Sequence, residues 1–124
     1  MTKTLKINPH RPEPEIIEKA VSIINSGGVI AYPTETVYGL GADIFNEKAV
    51  SRIYHIKSRE PQKPMIVIVP SLEKLSQLVT KITPTAEKLI QRFWPGPLTL
   101  VFPARPEVSA GLRANKPGIA VRIP

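Results

Sequence analysis

The sequence predicts an α/β domain, a twisted mixed sheet with helices packed on it. Three observations lead there. Short apolar runs alternate with longer amphipathic stretches along most of the chain. Turn-forming Gly, Pro, Asn and Ser residues separate the two kinds of stretch. Hydrophobic residues make up 42% and charged residues 22% of the 124 positions, which suits one domain, residues 1–124, around one core.

Taken in order, Thr4–Ile7 is a short strand candidate. Glu13 to Ser26 is predicted helical, because Ile16, Ile17, Ala20, Ile23 and Ile24 recur at helical spacing. Pro14 sits near its first turn, where a missing N–H costs nothing, and Gly27-Gly28 ends it. Val29–Tyr32 follows as a strand. Asn46 caps a second helix with Ala49, Val50, Ile53 and Ile56 on one face. Met65–Val69 is a continuous apolar run, the pattern of a strand covered on both faces. Ser71 caps a helix carrying Leu72, Leu75, Leu78 and Val79, and Thr83-Pro84 opens another with Ala86, Leu89, Ile90 and Phe93 inward. Leu98–Phe102 and Ile119–Ile123 are further strands. Between them PARPEVSAGLRANKPG, rich in Pro, Gly and charge, reads as a mobile loop. The predicted order is β-α-β-α-β-α-α-β-loop-β. The sequence reaches Pro124 directly after a strand, without a closing helix, which predicts a C-terminally truncated domain.

Composition narrows the functional classes. Cysteine is absent, which excludes a disulfide framework, a thiol nucleophile and a thiolate metal site. No apolar run approaches the length of a bilayer span, and MTKTLKINPH lacks a signal-peptide core, so the expected compartment is the cytoplasm, without membrane association. The net charge of +7 is uneven: residues 1–50 carry five basic and six acidic side chains, residues 51–124 twelve and four. A basic half suits an anionic partner such as nucleotide, phosphate or RNA, or is a lysine-rich solvated surface.

Three stretches concentrate polar chemistry. In PTETVYGLG, Thr34 and Thr36 alternate, so extended backbone turns both hydroxyls to one side, at the exit of a buried strand where open α/β sheets bind ligands. The competing reading is a turn with locally bonded threonines. In IKSREPQKP, Lys57, Arg59 and Lys63 gather where a helix ends and a strand begins, a place that suits polyphosphate or a solvated loop. Arg122 lies inside the apolar strand IAVRI and must meet a carboxylate or an anionic ligand. FWPGPLT is a rigid corner whose Trp94 fills a core edge. His10 and His55 have no second ligand at metal spacing, and no metal site is expected. The common glycine-rich nucleotide fingerprints are missing, and no side-chain nucleophile is evident.

In this order, PTETVYGLG, IKSREPQKPMIVIV, FWPGPLTLVF and GIAVRIP resemble the YrdC-like family, which includes threonylcarbamoyl-AMP synthases, from about Gly28 to the last residue. The resemblance implies a mixed α/β sheet around a basic cavity. It implies condensation of L-threonine, bicarbonate and ATP, with Mg²⁺, to threonylcarbamoyl-adenylate and pyrophosphate, by a nucleotidyltransferase that serves tRNA modification. It places ATP on Lys57, Arg59, Lys63 and the backbone near Gly118, and threonine on Thr34, Thr36 and Arg122. Its implied partners are tRNA or double-stranded RNA and the tRNA threonylcarbamoyl-transferase machinery. Two departures stand out: Ile68 occupies a position where many relatives have histidine, and the family's S-x-N motif would follow the strand ending at Pro124. The alternatives are an RNA- or nucleotide-binding module without turnover, and a carbamoyl-adenylate-forming enzyme of the same fold.

Overall fold

The computed structural model describes residues 2–124. The elements run α1 (Pro14–Asn25), β1 (Ile30–Tyr32), β2 (Gly39–Gly41), α2 (Glu47–Ile56), β3 (Ile66–Ile68), α3 (Leu72–Ser76), α4 (Pro84–Phe93), β4 (Leu100–Pro103) and β5 (Gly118–Arg122). The α/β class is as predicted. Thr4–Ile7 is not a strand, because no neighbouring segment pairs with it.

The strands form two ladders. β1 and β2 make an antiparallel hairpin, and β3-β5-β4 make a mixed sheet in which β3 runs parallel and β4 antiparallel to the central β5. The parallel register sets Ile68 beside Arg122.

Helix ends follow local chemistry. The Asn46, Ser71 and Thr83 side chains accept from the N–H groups of Ala49, Lys74 and Ala86, the expected N-caps. Gly27, at φ 87°, closes α1: its N–H reaches the Ile24 carbonyl and that of Gly28 the Ile23 carbonyl. α2 closes in the same way, but with Ser58 at φ 49° where glycine is usual. The Ser58 N–H bonds the His55 carbonyl and the Arg59 N–H the Tyr54 carbonyl.

The core gathers Val50, Val67, Val69, Leu75, Leu78, Val79, Ile90, Phe102, Ile119 and Val121. Leu78 and Val79 belong to it although α3 stops at Ser76. Trp94 packs its ring 6.2 Å from that of Phe102, and its indole N–H donates to the Leu98 carbonyl at 2.7 Å. Ile56 and Phe93, expected inward, are exposed, because each lies at the last residue of its helix, where the apolar stripe has turned off the sheet.

The segment expected to be a mobile loop is part of the core. Val108 and Leu112 are buried in it. Its backbone is tied down by bonds from the Met65 N–H to the Leu112 carbonyl and from the Ala104 N–H to the Pro117 carbonyl. The Arg113 guanidinium donates to the carbonyls of Val108 and Lys116. These pairings satisfy backbone groups without a ladder, which composition alone does not reveal.

β3 departs from expectation on one face. Val67 is buried, but Ile66 and Ile68 are 57% and 38% exposed. The β1–β2 hairpin does not join their sheet; an apolar cleft of about 300 Å³ separates it from β3. No described helix is long and apolar enough to cross a membrane.

Candidate functional site

Thr34, Thr36, Lys57, Arg59 and Arg122 all line one cavity of about 370 Å³ between the β1–β2 connection, the end of α2 and the open face of β3. Its remaining wall is apolar and includes Ile53, Met65, Ile66 and Ile68. A wider and shallower cleft of about 590 Å³ lies elsewhere, lined by Asp43, Glu47 and Glu107 with only Lys48 to offset them. Its charge repels anions, so the smaller basic cavity is the candidate.

Lys57 and Arg59 reach the cavity for a reason other than extended backbone. Lys57 caps α2 with helical dihedrals and Ser58 is left-handed, so the chain reverses within one residue. Arg59 is then fixed: its Nη2 donates to the Pro64 carbonyl at 2.8 Å and its Nε to the Lys63 carbonyl at 3.3 Å. The Tyr54 hydroxyl donates to the same Lys63 carbonyl at 2.8 Å. Burial pushes the Tyr54 phenol above its ordinary value, against the charge and hydrogen bond of Arg59. Lys57 makes no side-chain hydrogen bond or ion pair among the described residues, so its ammonium is uncommitted.

The threonines are partly engaged with each other. The Thr34 hydroxyl donates to the Val37 carbonyl, lies 3.2 Å from the Thr36 hydroxyl and accepts from the Thr36 N–H at 3.2 Å. Thr34 therefore shapes the turn and Thr36 faces solvent. The stretch is a locally bonded turn, as the competing reading has it, and it also walls the cavity.

Arg122 closes the floor. Its side chain is 15% exposed, and Nη1 pairs with Glu35 Oε1 at 2.9 Å, while Nε is buried without a partner. Glu35 is the residue that sequence reasoning missed. Its position between two threonines was the available signal, since alternation predicts a side chain pointing away from both. The tight turn overrides that alternation. Tyr32 stands beside this pair: burial raises its phenol, Arg122 opposes that shift and Glu35 adds to it.

Two expected contacts lie outside the cavity. The Lys63 side chain is exposed and 3.8 Å from Glu60. Gly118 starts β5, the strand that Arg122 ends, and a Cβ there would sit 2.7 Å from Val101 Cγ1, so this glycine serves strand packing. No group of three His, Cys, Asp or Glu side chains that could hold a metal occurs among the described residues.

The family model for Sua5, YciO and YrdC proteins, described as "Telomere recombination", matches residues 22–124. The threonylcarbamoyl-AMP synthase of Pyrococcus abyssi is 44% identical over 108 residues, which is 87% of this chain and 32% of that protein. The crystal structure of Pyrococcus abyssi Sua5 complexed with L-threonine superposes with a TM-score of 0.89 at 44% identity, over 92% of this chain and 34% of that one. The crystal structure of YciO from E. coli gives a TM-score of 0.90 at 30% identity, over 100% of this chain and 60% of that one. The chain thus spans less than two thirds of the length of each of these proteins.

Proposed function

This chain belongs to the Sua5–YciO–YrdC family, and from that premise we propose that it forms part of a threonylcarbamoyl-AMP synthase. The observation that carries the proposal is the convergence of Lys57, Arg59, the two threonines and Arg122 on one cavity. In this reading the enzyme condenses L-threonine, bicarbonate and ATP to threonylcarbamoyl-adenylate and pyrophosphate. The threonine amine first adds to the bicarbonate carbon and water leaves, giving a carbamate; a carbamate oxygen then attacks the α-phosphorus, and the bond to the β-phosphate breaks as pyrophosphate leaves.

Both reactants are anions, so the barrier is largely electrostatic and positional. Lys57, with its uncommitted ammonium, and Arg59, already held on two carbonyls, would meet the phosphates. Arg122 would hold the threonine carboxylate through a planar guanidinium of which one buried nitrogen still lacks a partner. Thr36 would contact the amino acid, with Thr34 fixing the turn. The apolar wall would keep water from the carbamate and the adenylate. Lys63 and the backbone near Gly118 do not line the cavity and would contact only those parts of ATP that extend beyond it. Mg²⁺ would enter with the ATP phosphates, since the described residues offer no cluster of metal ligands. The product would serve tRNA modification in the cytoplasm, through the tRNA threonylcarbamoyl-transferase machinery, and the basic residues of the second half suit tRNA or double-stranded RNA.

The test is pyrophosphate release from ATP, measured with and without threonine and bicarbonate, for this chain and for the chain continued to the length of its relatives. Release that requires both co-substrates is expected in the longer protein. Release indifferent to threonine, or supported equally by carbamoyl phosphate, removes the assignment.

A further inference from the structure

We propose that Glu35 is a built-in competitor for the carboxylate seat, holding the Arg122 guanidinium until a substrate carboxylate displaces it. The inference rests on the reading of Arg122 as the carboxylate-binding residue. Three observations lead to it. Glu35 Oε1 lies 2.9 Å from Arg122 Nη1, so a carboxylate of the protein itself already sits where an acidic ligand would. The pairing is incomplete: Oε1 meets Nη1, while Arg122 Nε is buried without a hydrogen bond, so this ion pair is weaker than a two-oxygen pair and easier for an incoming carboxylate to break. Finally, Glu35 is 39% exposed against 15% for Arg122, so it is the member of the pair with water on one side and room to leave.

The chain around Glu35 suits such an exchange. It belongs to the turn whose threonines line the same cavity, and that turn joins a hairpin separated from β3 by the apolar cleft. The Arg122–Glu35 pair is the only ion pair among the described residues that joins this turn to the three-stranded sheet. A carboxylate arriving at Arg122 faces the negative charge of Glu35 at close range, and two carboxylates on one guanidinium repel. Displacement therefore lowers the apparent affinity of the seat for every acid. The penalty is the same for all of them, so their order is unchanged, and only a ligand with further contacts, such as a hydroxyl against Thr36, still reaches high occupancy.

The test is a titration of the 124-residue chain, wild type and Glu35→Gln, with L-threonine and with 3-hydroxybutyrate, its analogue without the amine. Binding is followed by the NMR signal of the Arg122 Nε–H. Glu35→Gln is expected to tighten both ligands by about two- to five-fold, the worth of a partly exposed ion pair. The gain should shrink at high salt. If Glu35→Gln weakens threonine while leaving 3-hydroxybutyrate unchanged, Glu35 instead holds the ammonium and the inference fails. It fails also if neither affinity moves while threonine still binds, and in that case the reading of Arg122 survives. If 3-hydroxybutyrate tightens and threonine has no advantage over it, the competitor is real and the threonine assignment is lost. Glu35→Ala, with the circular dichroism spectrum of both variants, separates these outcomes from a misfolded turn.

Discussion

Lys57 and Arg59 share a cavity but differ in what else they do, and replacing each by alanine should separate the two roles. Arg59 donates from Nη2 to the Pro64 carbonyl at 2.8 Å and from Nε to the Lys63 carbonyl at 3.3 Å. Only the first is short, and the site is partly open to water. We therefore take about 2 kcal/mol for the pair, within the range for hydrogen bonds from a charged donor. With a urea slope near 2 kcal/mol/M, Arg59→Ala should lower the unfolding midpoint by about 1 M. Lys57 donates to nothing among the described residues, so Lys57→Ala should leave stability within about 0.5 kcal/mol. ATP affinity should fall in both. One lost charge-assisted contact, worth about 1.5–3 kcal/mol, corresponds to roughly ten- to 150-fold. The assays are urea denaturation followed by tryptophan fluorescence and ATP binding by calorimetry. If Lys57→Ala binds ATP as tightly as wild type, or destabilises the chain as much as Arg59→Ala, the division of labour is wrong.

Two further predictions follow from packing and protonation. Leu112→Ala should cost about 2–5 kcal/mol, because the side chain is buried in the core beneath a segment without regular structure; a midpoint equal to wild type would mean that the segment is loose. Burial holds the Tyr32 phenol above its ordinary value of about 10, despite Arg122, so the folded state keeps this proton longer than the unfolded state. The associated stability is complete below the unfolded value and is lost as pH rises through the folded one. Tyr32→Phe should therefore flatten the fall in urea midpoint as pH rises above about 10.

Helices α1, α2 and α4 were legible because apolar spacing agrees with a boundary signal at each of them: Pro14 and Gly27 for α1, Asn46 for α2 and Thr83-Pro84 for α4. The cavity was legible because its cations and hydroxyls sit at element ends. Less visible was β2, Gly39-Leu40-Gly41, whose glycines carry no strand preference. A Cβ at Gly41 would stand 2.7 Å from Tyr32 Cε1, so close cross-strand approach decides that residue. The PARPEVSAGLRANKPG segment misled for the converse reason. Its proline and glycine content describes the backbone path, whereas its burial depends on only two side chains, Val108 and Leu112. The open face of β3 could not be read at all, because Ile66 and Val67 are equally apolar and only the placement of the hairpin distinguishes them.

The parallel pairing of β3 with β5 joins segments far apart in the chain, so it is reached only after a long loop has closed. Along β5, Ile119 and Val121 point into the core while Arg122 belongs to the opposite face. A shift by a single residue would bury a guanidinium and expose two aliphatic side chains. Hydrophobic packing thus proofreads the candidate cavity: a molecule that has settled its interior has, by the same step, delivered its arginine to the cavity side.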